Sequence, residues 1–198
     1  MTPFFNPGPN PFGNPRIFLA GVGELMTEVA GEVADGFLCH GFSTERYLRE
    51  VTLPALARGR AKAGRTLDGL EISGPAFVAT GNDEQEIAAA IAAVKQQISF
   101  YGSTPAYRKV LELHGWGDLH DELNALSKRD GWDQMPDLIE DELLNTFAVV
   151  GEPEPVATEL NRRYGDVVHR ITLTVPHQTN PERWAAFFDA VRVTDQGL

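Results

Sequence analysis

The stretch "AGVG" at residues 20–23 places small residues directly before a helix-like pattern, an arrangement suited to binding an anion. Backbone N–H groups are free at the start of a helix, and the helix dipole favours negative charge there. A dinucleotide-binding fingerprint would need a further glycine where Met26 stands, so that interpretation fails. Glu24 and Glu28 already bring negative charge to the first turns. The spacing therefore leaves two interpretations open, a phosphate site or a plain strand-to-helix turn.

Cys39 and His40 are adjacent near the end of a second apolar run. A Cys–His nucleophile requires the two side chains to meet, whereas neighbouring residues of a strand point to opposite faces. The pattern therefore predicts that Cys39 is a small core residue and that His40 is a polar residue lining a site.

The five histidines do not have metal-binding spacing. Neither HxH nor HExxH occurs, and His114 and His120 lie six apart, which matches no common zinc pattern. We therefore expect no metal site. His177 follows the last predicted strand, where it either lines the mouth of a site or lies in an exposed loop.

The stretch "YGSTPAYR" combines structural and functional signals. Ser103 or Thr104 is predicted to cap a helix whose first residue is Pro105. That role leaves Tyr101 and Tyr107 without an explanation. Because the stretch follows the third predicted strand, we interpret it as part of a lid over a site.

Strand-like and helix-like segments alternate along the chain, which predicts an α/β fold with a parallel sheet and crossover helices. Ligands in such sheets bind at the carboxyl ends of the strands. Residues 1–15 are predicted to be a Pro-rich loop, and residues 102–147 a helical insertion before the last strand. The predicted strands are 16–20, 36–40, 70–81 and 169–175.

Two helices carry specific local patterns. Leu25, Val29 and Val33 recur four residues apart, which predicts one apolar face of the first helix. Asn82 is predicted to cap a later helix, with Gln85 completing a capping box.

Composition narrows the classes of function. The 198 residues include 17 Lys and Arg against 28 Asp and Glu, giving a net charge of −11. This charge disfavours nucleic-acid binding. No segment reaches the ~18 apolar residues of a membrane span, and the N-terminus lacks the pattern of a secretory signal. With a single cysteine and no internal disulfide, we expect a cytoplasmic protein.

Three longer stretches carry a family resemblance. They are "IFLAGVGELMTEVAGEVADGFLCHGFSTERYLREVTLPAL", "FYGSTPAYRKVLELHGW" and "FAVVGEPEPVATEL". Together they resemble the luciferase-like monooxygenase superfamily, and within it the oxidoreductases that depend on the deazaflavin coenzyme F-420. The resemblance covers roughly residues 3–193. It implies a TIM (βα)8 barrel, of which residues 16–195 resemble the C-terminal half, strands five to eight, with the first four strands absent.

The resemblance also implies a function and a site. The implied chemistry is hydride transfer between C5 of the deazaflavin and a small organic substrate, with FMN as the alternative cofactor. The catalytic residue stays unknown, because in the family the absent first four strands supply the residues nearest the reacting carbon. The implied cofactor-binding residues are Ala20, Gly21, Val22, Gly23, His40 and Gly41. The residues assigned to the substrate and lid side are Tyr101, Ser103, Tyr107 and His177.

The alternative is a non-catalytic half-barrel, either a fragment or a subunit. A four-stranded open sheet has two exposed edges, and exposed edges favour pairing with another chain. We expect the isolated chain to form a homodimer, or to complete a barrel with a missing N-terminal half. Apolar residues from 17–19 and 171–173 are expected on the inner face.

Overall fold

The chain folds as a parallel α/β structure, as the sequence predicts. The computed structural model describes residue 8, residues 10–176 and residues 184, 187 and 188. His177 and most of the predicted last helix therefore lie outside the described residues. The strands are β1 (Phe18–Ala20), β2 (Gly36–Leu38), β3 (Glu71–Thr80), β4 (Ala148–Gly151) and β5 (Arg170–Thr174). Every strand pairing is parallel.

The long strand β3 organises the sheet. Phe77 pairs with Ala148 of β4 on one side and with Thr174 of β5 on the other. Ser73 pairs in the same way with β2 and with β5. It follows that β2 and β4 share one side of β3, while β5 occupies the opposite side. The path β1-β2-β3-β5 contains the four predicted strands, and β4 is an addition that the sequence analysis missed.

Between Glu24 and Tyr164, eight α-helices connect and cover these strands, and the described residues 184, 187 and 188 are also helical. A π-helical segment (Leu48–Thr52) joins the second and third helices, and 3-10 turns span Pro105–Tyr107 and Met135–Leu138. Between residues 102 and 147 the chain forms short helices, as predicted. The helices are α1 (Glu24–Val33), α2 (Glu45–Tyr47), α3 (Leu53–Lys62), α4 (Glu84–Gly102), α5 (Arg108–Leu113), α6 (Gly117–Ser127), α7 (Asp141–Phe147) and α8 (Pro153–Tyr164).

The cap of α4 differs from the prediction by one residue. Asp83, not Asn82, is the cap, and its carboxylate accepts the N–H of Glu86 at 2.8 Å. The Glu86 carboxylate in turn accepts the N–H of Asn82 at 3.0 Å. Aspartate and asparagine accept from the free N–H groups of a helix start equally well. The capping box is therefore formed by Asp83 and Glu86, one residue later than predicted.

One face of the sheet is covered by helices. Phe37 and Ile72 are buried beneath α1 and α3, and Ala76 and Val78 are buried beneath α8. The alternate residues of β3, Phe77 among them, face the other way and pack against the insertion helices. The carboxyl half of β3 is therefore enclosed on both faces, with the insertion above the strand ends.

The inner face near β5 is more polar than expected. Ile171 and Leu173 pack with the helix-side cluster, whereas Arg170 and Thr172 are exposed. Glu71 forms ion pairs with Arg170 of β5 and with Arg16, which precedes β1. The expectation of an apolar inner strand at 171–173 was therefore wrong, because strand alternation turns Ile171 and Leu173 towards the helices.

Two glycines bring α1 and α3 into backbone contact. A Cβ on Gly59 would lie 1.9 Å from the carbonyl oxygen of Glu28, and one on Gly31 would lie 2.3 Å from that of Leu56. No side chain larger than hydrogen fits at either position. This contact turns the glycine side of α1 inward and leaves the predicted apolar face outward: Leu25 is 80% exposed and Val33 is 61% exposed.

Candidate functional site

A cleft opens at the carboxyl ends of β1 and β2. Its volume is about 30 Å³, room for one or two water-sized groups. Its lining includes Gly21, Val22, Gly23, Cys39, His40 and Tyr107. The cleft thus brings the small-residue turn before α1 together with the end of β2 and with the insertion.

The turn before α1 presents its backbone to this cleft. Gly23 has φ 78° and is the N-cap residue of α1, with no side-chain cap hydrogen bond. A Cβ on Gly21 would lie 3.2 Å from Cβ of Met26 and 3.3 Å from the Phe37 ring. The left-handed φ favours glycine at position 23, and crowding favours it at position 21. The helix start is therefore open on the cleft side.

Two acidic residues in the first turns of α1 form ion pairs with α3. Glu24 pairs with Arg58 at 3.1 Å, and Glu28 pairs with Arg58 and with Lys62 at 3.1 and 2.5 Å. These ion pairs hold the pKa of Glu28 below its usual value, mainly through the Lys62 hydrogen bond. The positive end of the α1 dipole is thus accompanied by paired carboxylates.

His40 is held as a neutral imidazole of defined tautomer. The N–H of Phe42 donates to Nδ1 of His40 at 3.0 Å, so Nδ1 is an acceptor and the proton lies on Nε2. Nε2 lies 3.0 Å from Oη of Tyr107, to which it donates. Burial lowers the pKa of His40, which favours this neutral form.

Aromatic rings enclose the imidazole. The Tyr107 ring stacks on His40 with a centroid distance of 4.5 Å, and Tyr101 meets it edge-on at 5.0 Å. Burial, followed by the neighbouring Tyr101, raises the pKa of the Tyr107 phenol. The phenol therefore keeps its proton. Because its oxygen accepts from His40, that proton is available to an acceptor in the cleft.

Cys39 has the character of a core residue. Its side chain packs with two apolar clusters, and burial raises its pKa to about 12. The thiol therefore stays protonated and is a poor nucleophile.

Some of the predicted site residues do not line the cleft. Ser103 is buried and its hydroxyl donates to the carbonyl of Phe100 at 2.7 Å; neither Ser103 nor Thr104 makes a side-chain cap on the turn at Pro105. Ala20 and Gly41 lie beside the cleft in sequence without lining it. The roles assigned to all the site residues remain predictions.

A second contact, between the insertion and the segment that follows β2, was missed by the sequence analysis. Oγ1 of Thr44 lies 2.9 Å from Nε2 of His114, whose ring stacks on Trp116. Arg46 donates to the carbonyl of Leu113 at 2.9 Å. The residues of each pair lie about 70 positions apart, and no local sequence signal connects them.

Neither a metal site nor a membrane span was found among the described residues. In that part of the chain, no group of three His, Cys, Asp or Glu side chains is arranged to hold a metal ion. No described helix combines the length and apolar character needed to cross a bilayer.

Residues 1–170 match the profile of the family described as luciferase-like monooxygenase. The chain belongs to this family. An uncharacterised protein of Mycobacterium tuberculosis is 56% identical over 171 residues, which are 86% of this chain and 50% of that protein. The 5,10-methylenetetrahydromethanopterin reductase of Methanopyrus kandleri is 26% identical over 170 residues, covering 84% of this chain and 46% of the reductase.

A solved structure of a family relative shares the fold. The coenzyme F420-dependent tetrahydromethanopterin reductase of Methanopyrus kandleri superposes with a TM-score of 0.69 at 19% identity. The superposition covers 91% of this luciferase-like chain and 50% of the reductase. The chain therefore spans about half the length of the relatives it matches.

Proposed function

We propose that this luciferase-like chain binds the phosphate end of a deazaflavin cofactor at the turn Gly21–Gly23. In an assembled barrel, where this chain supplies strands five to eight, it then takes part in hydride transfer with a small organic substrate. One observation carries the proposal: the N-terminus of α1 has no side-chain cap and opens into the cleft that His40 and Tyr107 also line. The printed name of the structurally similar reductase, which is coenzyme F420-dependent, supports the choice of cofactor.

The residues of the turn fit a phosphate group. Hydrogen is the only side chain at Gly21 and Gly23, so an anion can approach the backbone N–H groups closely. Val22 lies between them and adds no charge. The chain carries −11 overall, so an anion gains its attraction from these N–H groups and the helix dipole rather than from the general field.

His40 and Tyr107 would orient an oxygen of the bound molecule. His40 fixes the phenol by donating to its oxygen, and Tyr107 then donates its own proton into the cleft. The insertion that carries Tyr107 would also exclude water from the strand ends. The chemistry that a bound deazaflavin supplies is hydride transfer at C5 of its ring.

A binding titration tests this function. Oxidised F-420, reduced F-420 and FMN are each added to the protein, and binding is followed by cofactor fluorescence or by calorimetry. We expect saturable binding of F-420 and weaker binding of FMN. Tighter binding of FMN would replace the deazaflavin by the alternative cofactor, and the absence of binding to all three would reject the proposal for this chain.

A further inference from the structure

Most of the exposed large hydrophobic side chains of the described residues belong to one segment that includes β1 and α1. Eleven large hydrophobic side chains are exposed in the part of the chain that the structure describes, and more than half belong to the segment 17–33. We call these six the α1 surface. They are Ile17, Val22, Leu25, Met26, Val29 and Val33. Clusters of this kind on a polar protein mark interaction sites.

The opposite side of α1 is already occupied. Gly31 contacts the backbone of α3, and Glu24 and Glu28 are engaged by basic residues of α3. The helix therefore has one side that α3 engages and an apolar side that no described residue covers. Covering the α1 surface requires a partner that brings apolar side chains.

The strand beneath α1 has an unpaired edge. In the described residues, Phe18, Leu19 and Ala20 pair with β2 alone, and β5 at the other end of the sheet pairs with β3 alone. Both edge strands run in the same direction because all pairings are parallel. A strand that pairs with β1 and keeps the sheet parallel must run in the same direction as β1.

A second copy of this chain satisfies these conditions. Rotation by 180° about an axis parallel to the strands keeps every strand parallel. It places β5 of each copy beside β1 of the other. The two paths β1-β2-β3-β5 then close as eight strands, the number found in TIM barrels, and neither β1 nor β5 keeps an unpaired edge.

The helical residues near β5 carry apolar side chains that suit this arrangement. Trp184, Phe187 and Phe188 are helical, and Phe188 is 45% exposed. In the rotated copy these three residues follow β5 in the chain, which brings them to the side of α1. We propose that the α1 surface binds the β5 side of a second copy of this chain, two identical contacts closing the dimer. This inference does not depend on the proposed cofactor.

Light scattering on the full chain at micromolar concentration gives the first test. We expect a species of about twice the 21.7 kDa of one chain. Val29→Glu places a charge in the contact, and a charge buried without a partner weakens association strongly, so we expect dimer affinity to fall by roughly tenfold or more. Phe100→Glu is the matched control, because Phe100 is similarly exposed but lies on α4.

Cysteine cross-linking tests the geometry. A protein with Val29→Cys is mixed with one carrying Phe188→Cys, and we expect a disulfide between the two different proteins. Self-linking of Val29→Cys alone would instead indicate an α1-to-α1 contact and overturn the proposal. A cooperatively folding monomer would also overturn it, as would a dimer that Phe100→Glu disrupts as strongly as Val29→Glu. So would a monomer that associates only with a separately produced N-terminal half-barrel.

Discussion

Oη of Tyr107 lies 3.0 Å from Nε2 of His40, although the two residues are 67 positions apart in the chain. This hydrogen bond joins the helical insertion to the end of β2 directly at the cleft. Because the N–H of Phe42 fixes the other ring nitrogen, the direction of the bond is defined. The contact is thus both a structural link and the feature that orients the Tyr107 phenol.

The link can be measured without any ligand. We expect Tyr107→Phe and His40→Ala each to destabilise the fold, and the two changes together to cost less than their sum, with a coupling of roughly 0.5–1.5 kcal/mol, the usual range for one hydrogen bond. Urea unfolding of the four proteins gives this coupling. Tyr107→Phe combined with the distant surface change Thr158→Val is the control and should be additive.

Gly21→Val should abolish cofactor binding in a complete assembly. A β-branched side chain would occupy the space through which phosphate approaches, and even its Cβ would crowd Met26 and Phe37. Gly117→Ala, where a Cβ would meet its nearest neighbour at an ordinary 3.4 Å, is the control for the added carbon. The measurement is F-420 affinity, with circular dichroism as the check on folding. A folded Gly21→Val protein of unchanged affinity would contradict the site.

Stability should fall as the pH drops from about 7.5 to 5.5. Burial lowers the pKa values of His40 and His114 below the ordinary 6.5. The unfolded chain therefore takes up protons first, so the stabilisation is complete above about pH 6.5 and is lost as the pH falls towards the lowered values. Urea unfolding at both pH values measures the change, and His40→Ala should reduce it. Equal stability at the two pH values in the parent protein would be inconsistent with buried neutral histidines.

The insertion 102–147 should be cleaved more slowly when cofactor is bound. The turn after α6 contains Lys128 and Arg129, and Arg129 is exposed, so we expect trypsin to cut there first without ligand. A bound molecule that contacts Tyr107 would hold the insertion against the strand ends. Peptide mapping over time, with and without saturating F-420, gives the two rates. Identical rates would mean that the insertion is not a lid.

Gly59→Ala should destabilise the protein by roughly 1–3 kcal/mol or more, the range for an overpacked contact. Its Cβ would overlap the carbonyl of Glu28, so α1 and α3 would have to separate. Thermal unfolding of Gly59→Ala beside Gly117→Ala distinguishes this contact from a general effect of replacing glycine. A loss of stability no larger than in the control would show that the helices adjust without cost.

The sequence predicted the elements better than their contacts. Apolar runs located β1, β2, β3 and β5, since each run is bounded by turn residues. It missed β4 because Ala148–Gly151 is only four residues long and adjoins a helix. The hydrogen bond between Tyr107 and His40 could not be predicted, because the two residues are 67 positions apart and meet only through the tertiary fold.

Periodicity likewise identified the apolar face of α1 but not its surroundings. Leu25, Val29 and Val33 do lie on one side of the helix, yet the buried side is the one with Thr27 and Gly31. A four-residue repeat indicates which side chains share a helix face. It does not indicate which element of the fold packs against that face. Here backbone packing at the glycine decided which face is buried.

In most helices the apolar side chains also fix the position of the helix. The glycine contact between α1 and α3 assigns these two properties to different residues. Gly31 and Gly59 fix where α1 sits, whereas Leu25, Val29 and Val33 contribute little to that position because they face outward. Substitutions among these three residues can therefore accumulate over generations with little penalty in folding. The partner of α1 is thus free to change while the backbone contact with α3 and the sheet stay the same.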